Sequence, residues 1–188
     1  MPTLSSTEKT QCDRRKVYAS AVSPREVYSP IALRAFVAEG ILQDLHDDHN
    51  EVASLLGDLM ESEDRVERDR LFEQMKTKLL AHAHAEQEVL YRRLERAQSE
   101  ESRIFAHEGT NEHQIVEDQL QKLSAASDKT GNQWAAELRV LRELVDHHVD
   151  EEDSTGFSCA RDEVGKEELE AISQDFQTRK SKLMTRVA

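Results

Sequence analysis

Apolar residues recur along most of this chain at three- and four-residue steps, the spacing that puts one face of an α-helix into a core. A first stripe runs Val37, Leu42, Leu45, His49, Val52, Leu56 and Leu59. A second runs Phe72, Met75, Leu79, His82, Glu86 and Val89, and a third Ala106, His113, Val116, Leu120 and Leu123. A fourth runs Trp134, Leu138, Leu141, Val145, His148 and Glu152. Ser29-Pro30 reads as an N-cap with proline in the first turn, opening the first helix, with Gly40 as a weak point inside it. An amphipathic segment from about Glu167 to Leu183 predicts a last, shorter helix lying across the others. Residues 1–28 are polar and aperiodic and are expected to form a flexible lead-in.

Polar stretches separate the stripes: SEDRVERD around residue 66, AQSEES around 98–99, and DKTGN around 131–132, where Gly131 sits. Turns at those midpoints bring the histidines of all four stripes to one level. A helix rises about 1.5 Å per residue, so a two-residue error in a turn displaces a side chain by only about 3 Å. The expected fold is therefore all-α. It is an antiparallel up-down-up-down four-helix bundle over residues 29–160, with an additional C-terminal helix over 161–188.

Composition narrows the partners. The 188 residues suffice for one domain with a sizeable core, and six Gly with three Pro are too few breakers for an all-β fold. A net charge of -13 argues against a nucleic-acid or anionic-membrane partner and favours the approach of cations. No apolar run suits a membrane span or signal peptide. Cys12 and Cys159, far apart in sequence, are expected to be reduced thiols of a cytoplasmic protein.

The stripes also carry chemistry, and they carry it twice. His49 is followed 33 residues on by His82-x-x-x-Glu86, and His113 is followed 35 residues on by His148-x-x-x-Glu152. Aligned on the histidines, Val52 meets Val116, Leu56 meets Leu120, Leu59 meets Leu123 and Tyr91 meets Phe157. Four imidazoles and two carboxylates form a donor set for two metal ions, suited to iron, manganese or zinc.

Taken singly, His-x-x-x-Glu says little. It occurs at 82/86, 84/88, 113/117, 147/151 and 148/152, and an i,i+4 pair is more often a surface ion pair. Register separates the pairs. The 82/86 pair continues the apolar stripe, whereas 84/88 continues the mostly polar face through Glu73 and Thr77, so His84 is expected in solvent. On the fourth helix 147/151 and 148/152 both continue apolar stripes, and the internal repeat favours 148/152, with His147 as runner-up.

Two carboxylates among apolar residues need positive partners, and the four stripes offer no Lys or Arg at that level. Two cations would supply the charge. Asp48 and Glu112, each just before a repeat histidine, are candidate acceptors that orient an imidazole. His46 either lines the site or faces solvent, Glu117 is expected at the surface and His107 is incidental. Trp134, Tyr91 and Phe157 are expected in the core.

The ordered series His, HxxxE, His, HxxxE, with phrases such as HAHAEQEVLY and DHHVDEED, resembles the hemerythrin-like (HHE cation-binding) family over about residues 42–158. The resemblance implies a non-haem di-iron centre on four antiparallel helices. It makes His49, His82, His113 and His148 terminal ligands and Glu86 and Glu152 bridging carboxylates, with an oxo or hydroxo bridge between two Fe ions. Arg92 and Ser158 stand where family members commonly have proline, so the helix ends are expected to differ. Gln87 and Asp153 replace the second glutamate of each pair and are expected outside the ligand set. No equivalent of the extra histidine of oxygen carriers is evident, which turns the expectation away from simple oxygen transport. The resemblance implies binding or sensing of O2, NO or a related oxidant, a peroxide-decomposing enzyme, or iron buffering.

Overall fold

A computed structural model of the chain describes residues 40–187, and side chains through residue 185. The expected lead-in of residues 1–28, the Ser29-Pro30 helix start, Val37 and Cys12 lie outside the described residues. Those that are described are all-helical, with no strand among them. The elements are α1 (Ile41–Glu61), α2 (Arg65–Glu86), α3 (Arg92–Leu94), α4 (Glu100–Ala125), α5 (Asn132–Glu151), α6 (Phe157–Val164) and α7 (Lys166–Val187). A π-helical turn, Gln87–Tyr91, joins α2 to α3, and a second, Glu152–Gly156, joins α5 to α6.

Every residue predicted on the four inner stripes from Leu42 onward is buried. The breaks fall within or beside the expected polar stretches. The first comes at Ser62–Asp64, before residue 66, because the Asp64 carboxylate accepts from Glu67 N–H at 2.8 Å and starts α2 early. Ser99 caps α4 in the same way. Neighbouring helices pair with numbers that rise on one and fall on the next. Asp48 meets His82 while Glu51 meets Lys78; Gln87 meets His113 while His84 meets Glu117; Glu112 meets His148 while Leu123 meets Trp134.

Apolar burial divides into two clusters. One gathers Leu42, Leu45, Val89, Tyr91, Phe105 and Phe157 with Leu169, Ile172 and Phe176 of α7. The other gathers Val52, Leu56, Phe72, Met75, Val116, Leu120, Trp134 and Leu141. On each of α1, α2, α4 and α5 the repeated histidine falls between the two. A polar layer is thus sandwiched between apolar blocks whose packing fixes its depth.

Gly40 corrects one expectation. It is not a weak point inside a helix but the residue at which α1 begins, with φ 60° and ψ -134°. A Cβ there would collide with the backbone of Leu169 and Glu170, where α7 crosses. Gly40→Ala should therefore cost about 1–3 kcal/mol, lowering the midpoint of a thermal melt by roughly 2–12 °C. Gly57→Ala, inside α1 with nothing within 4 Å of the new methyl, should leave the melt unchanged or raise it.

The C-terminal helix α7 spans 22 residues, beyond both ends of the amphipathic segment Glu167–Leu183, and the start of the expected 161–188 stretch belongs to α6 instead. Gly165, with φ 80°, breaks the chain after α6, and α7 packs against α1 and α2. No described helix is long and apolar enough to cross a membrane.

Candidate metal centre

Six side chains meet in the polar layer. His49 comes from α1, His82 and Glu86 from α2, His113 from α4, His148 from α5, and Glu152 from the start of the second π-helical turn. All six are at most 7% exposed. His84 and His147 are not among them: their side chains are 43% and 63% exposed and pair with Glu117 and with Glu112 and Glu151. His46 is 38% exposed beside Asp153, and His107 faces solvent.

The imidazoles pair by their Nε2 atoms. His49 and His82 approach at 3.2 Å, and His113 and His148 at 3.0 Å. Each glutamate lies between the pairs. Glu86 Oε2 is 3.7 Å from His82 Nε2 and 3.6 Å from His113 Nε2. Glu152 Oε2 is 3.1 Å from His49 Nε2 and 4.0 Å from His148 Nε2. Donor atoms of His49, His82 and Glu152 lie within 4.8 Å of one another, and so do those of Glu86, His113 and His148. Each group of three can hold a metal ion.

Outer contacts aim the rings. His82 Nδ1 faces Asp48 at 3.1 Å and His148 Nδ1 faces Glu112 at 2.7 Å, the two acceptors expected from the sequence. A proton on each Nδ1, donated to the carboxylate, leaves the Nε2 lone pair pointing inward. His113 Nδ1 meets the Gln87 amide at 3.0 Å; a flip of that amide makes its oxygen the acceptor. Gln87 thus lies outside the group of six and orients one of its rings. Tyr91 stacks on His113, with centroids 5.5 Å apart and planes 12° apart, and closes over Gly109, where a Cβ would meet its ring.

The π-helical turns explain how Tyr91 gets there. Five residues on a regular helix turn a side chain about 140° away from its starting face. An i→i+5 turn sets residue i+5 nearly over residue i. Tyr91 and Phe157, five residues after Glu86 and Glu152, are therefore both fully buried on the inner side. Helix continues past both, through Arg92 and Ser158.

The electrostatics favour cations. All four oxygens of Glu86 and Glu152 are buried without a hydrogen-bond partner among the described residues, as are His49 Nδ1 and the Tyr91 hydroxyl. An uncompensated buried charge costs several kcal/mol even after relaxation. Burial, and then the charge of Glu152, push the Glu86 carboxyl well up. Burial holds His82 and His113 below their ordinary values, and the neighbouring imidazoles lower them further. Burial opposes a charge on His148 too, but the hydrogen bond to Glu112 and the charges of Glu152, Glu112 and Glu151 together raise that imidazole. Imidazole Nε2 atoms facing each other at 3.0–3.2 Å and carboxylate oxygens without hydrogen-bond partners are the environment that bound cations would relieve. The donor set fits a metal pair.

Comparison with known proteins bears on cation binding by the chain. The family model described as the Hemerythrin HHE cation binding domain matches residues 40–160. A protein called DNA nickase from Nostoc sp. is 30% identical over 140 residues, or 74% of this chain. The chain spans only 39% of that protein's length. A hemerythrin-like protein of Schizosaccharomyces pombe, itself uncharacterized, is 24% identical over 153 residues, 81% of this chain and 75% of that one. No solved structure matches.

Proposed function

The chain belongs to the hemerythrin HHE cation-binding family, and on that premise we propose that it is a di-iron protein binding or sensing a small oxidant such as O2 or NO. His49 and His82 would hold one iron, His113 and His148 the other, with Glu86 and Glu152 spanning both. The support is the placement of each glutamate between one histidine of each pair, together with the unpartnered buried oxygens. The arrangement proposed for the helices is an up-down-up-down antiparallel bundle with α7 added, supported by the reversed pairing of neighbours.

One observation carries the choice of ligand. A cavity beside the four imidazoles is otherwise lined by Val52, Leu79, Ala83, Val116, Val145 and Val149. Its walls offer no hydrogen-bonding side chain besides the histidines, so they suit a small, weakly hydrated molecule and disfavour a polar organic substrate. Two irons would supply electrons and open coordination positions there. The protein's own part is to hold the rings through Asp48, Glu112 and Gln87, and to limit water with the valines. Nucleic acid is no part of the proposal: the nickase is a much longer protein, and this chain carries a net charge of -13. A cytoplasmic location is part of it.

Tyr91 favours a second reading, peroxide decomposition. Its hydroxyl is fully buried, on a ring stacked against the His113 imidazole. A proton donor at that depth is what breaking an O–O bond requires. Titration with oxidant separates the readings. For a binder or sensor, one equivalent of oxidant changes the visible spectrum once and a reductant restores it. Sustained oxygen evolution from excess hydrogen peroxide, lost on metal removal, would establish the enzyme instead.

A further inference from the structure

The two halves of the centre repeat one another in sequence, yet α7 touches them unequally. It lies beyond residues 40–160 and packs against α1 and α2. Leu169, Ile172 and Phe176 of its inner stripe enter the core, and Lys180 occupies the next inward position, one turn on. The Lys180 ammonium donates to Asp48 Oδ1 at 2.6 Å, while Asp48 Oδ2 faces His82 Nδ1 at 3.1 Å. Both side chains are largely covered, at 17% and 14% exposure. The edge of Phe176 closes against the His82 ring, 5.9 Å between centroids, and Lys180 lies 5.3 Å from the Phe176 ring centre. On the other half, Glu112 faces His148 at 2.7 Å. The charged groups that act on Glu112 are His148, the exposed His147 and Glu152, where Asp48 has an ammonium.

An ionised acceptor on Nδ1–H raises the donor strength of the ring's other nitrogen. A charge-assisted hydrogen bond from an ammonium draws that acceptor's charge away from the ring. We propose that Lys180 is a positioning residue that makes the two metal positions unequal. Through Asp48 it weakens His82 as a donor, so the His113/His148 position fills first and the His49/His82 position holds its ion more loosely. This inference rests on the metal-pair reading of the centre.

Anaerobic titration of the metal-free full chain with Co(II), followed by visible absorption, tests it. The unaltered protein should take up two ions in two steps whose affinities differ by about tenfold or more, the size of effect that outer contacts of ligands exert. Lys180→Met, which keeps most of the stem and removes the charge, should draw the two steps together. Lys180→Arg should keep them apart. Arg179→Ala, which loosens α7 at its exposed pair with Glu88, should also keep them apart. Two equal steps in the unaltered protein, an unchanged separation in Lys180→Met, or a collapse in Arg179→Ala would each overturn the role of Lys180. In all three cases the total of two ions would stand, and the metal-pair reading with it. Absence of any cobalt binding would instead sink that reading.

Discussion

His82→Ala should empty most of the metal from the protein, whereas His84→Ala, two residues along, should leave metal content as it was. The two positions are about 200° apart on α2. His82 is 3% exposed, with Nε2 3.2 Å from that of His49; the His84 side chain is 43% exposed and has only a loose pair with Glu117 at 3.4 Å. Such a surface pair contributes about 0–1 kcal/mol, so its loss should alter neither metal binding nor folding noticeably. The same comparison on α5 pits the buried His148 against the 63% exposed His147. Metal analysis of the four purified variants decides the matter, and equal losses at 82 and 84 would mean that the inner face has been misassigned.

Stripping the metal should lower thermal stability substantially, and more so as pH rises. A ligand bound only by the folded state, at a thousand times its dissociation constant, adds about 4 kcal/mol. For a chain of this size that is roughly 8–16 °C in melting temperature. The pH dependence follows from protons standing in for metal. Glu86, pushed up by burial and by Glu152, keeps its proton in the folded, stripped protein. That stabilisation is fully present below its ordinary value of 4.5 and is lost as pH rises through the folded value. His148, raised against its burial by Glu112, Glu152 and Glu151 together, behaves alike around its ordinary value of 6.5. His113 is held neutral by burial and needs no proton removed. The gap between loaded and stripped melts should therefore widen from about pH 5 to about pH 8. A gap that is absent, or constant across that range, would mean the buried carboxylates find their partners without metal.

The inner face of each helix was legible because a core imposes the helical period on every turn, and the six metal-type residues fall on that period. The repeat resolved what periodicity left open, since His147 and His148 each continue an apolar stripe, and only His148 is buried. Asp48 and Glu112 could be anticipated from their position beside a repeat histidine. What escaped was set by backbone geometry or by distant segments. Nothing in Gln87–Tyr91 or Glu152–Gly156 marks an i→i+5 turn beyond an aromatic five residues after each glutamate. Gly40 read as a defect because its reason, the crossing of α7 at Leu169, lies 129 residues away. Lys180 is 132 residues from Asp48. Its one local signal is a lysine in line with Leu169, Ile172 and Phe176 on an otherwise apolar face.

Metal analysis of the purified protein together with its absorption spectrum tests the central claim most directly. The account predicts about two irons per chain, with the charge-transfer bands of a bridged ferric pair in the near-ultraviolet and visible. One zinc per chain without colour, or a protein that carries no metal and melts unchanged after chelation, would contradict it.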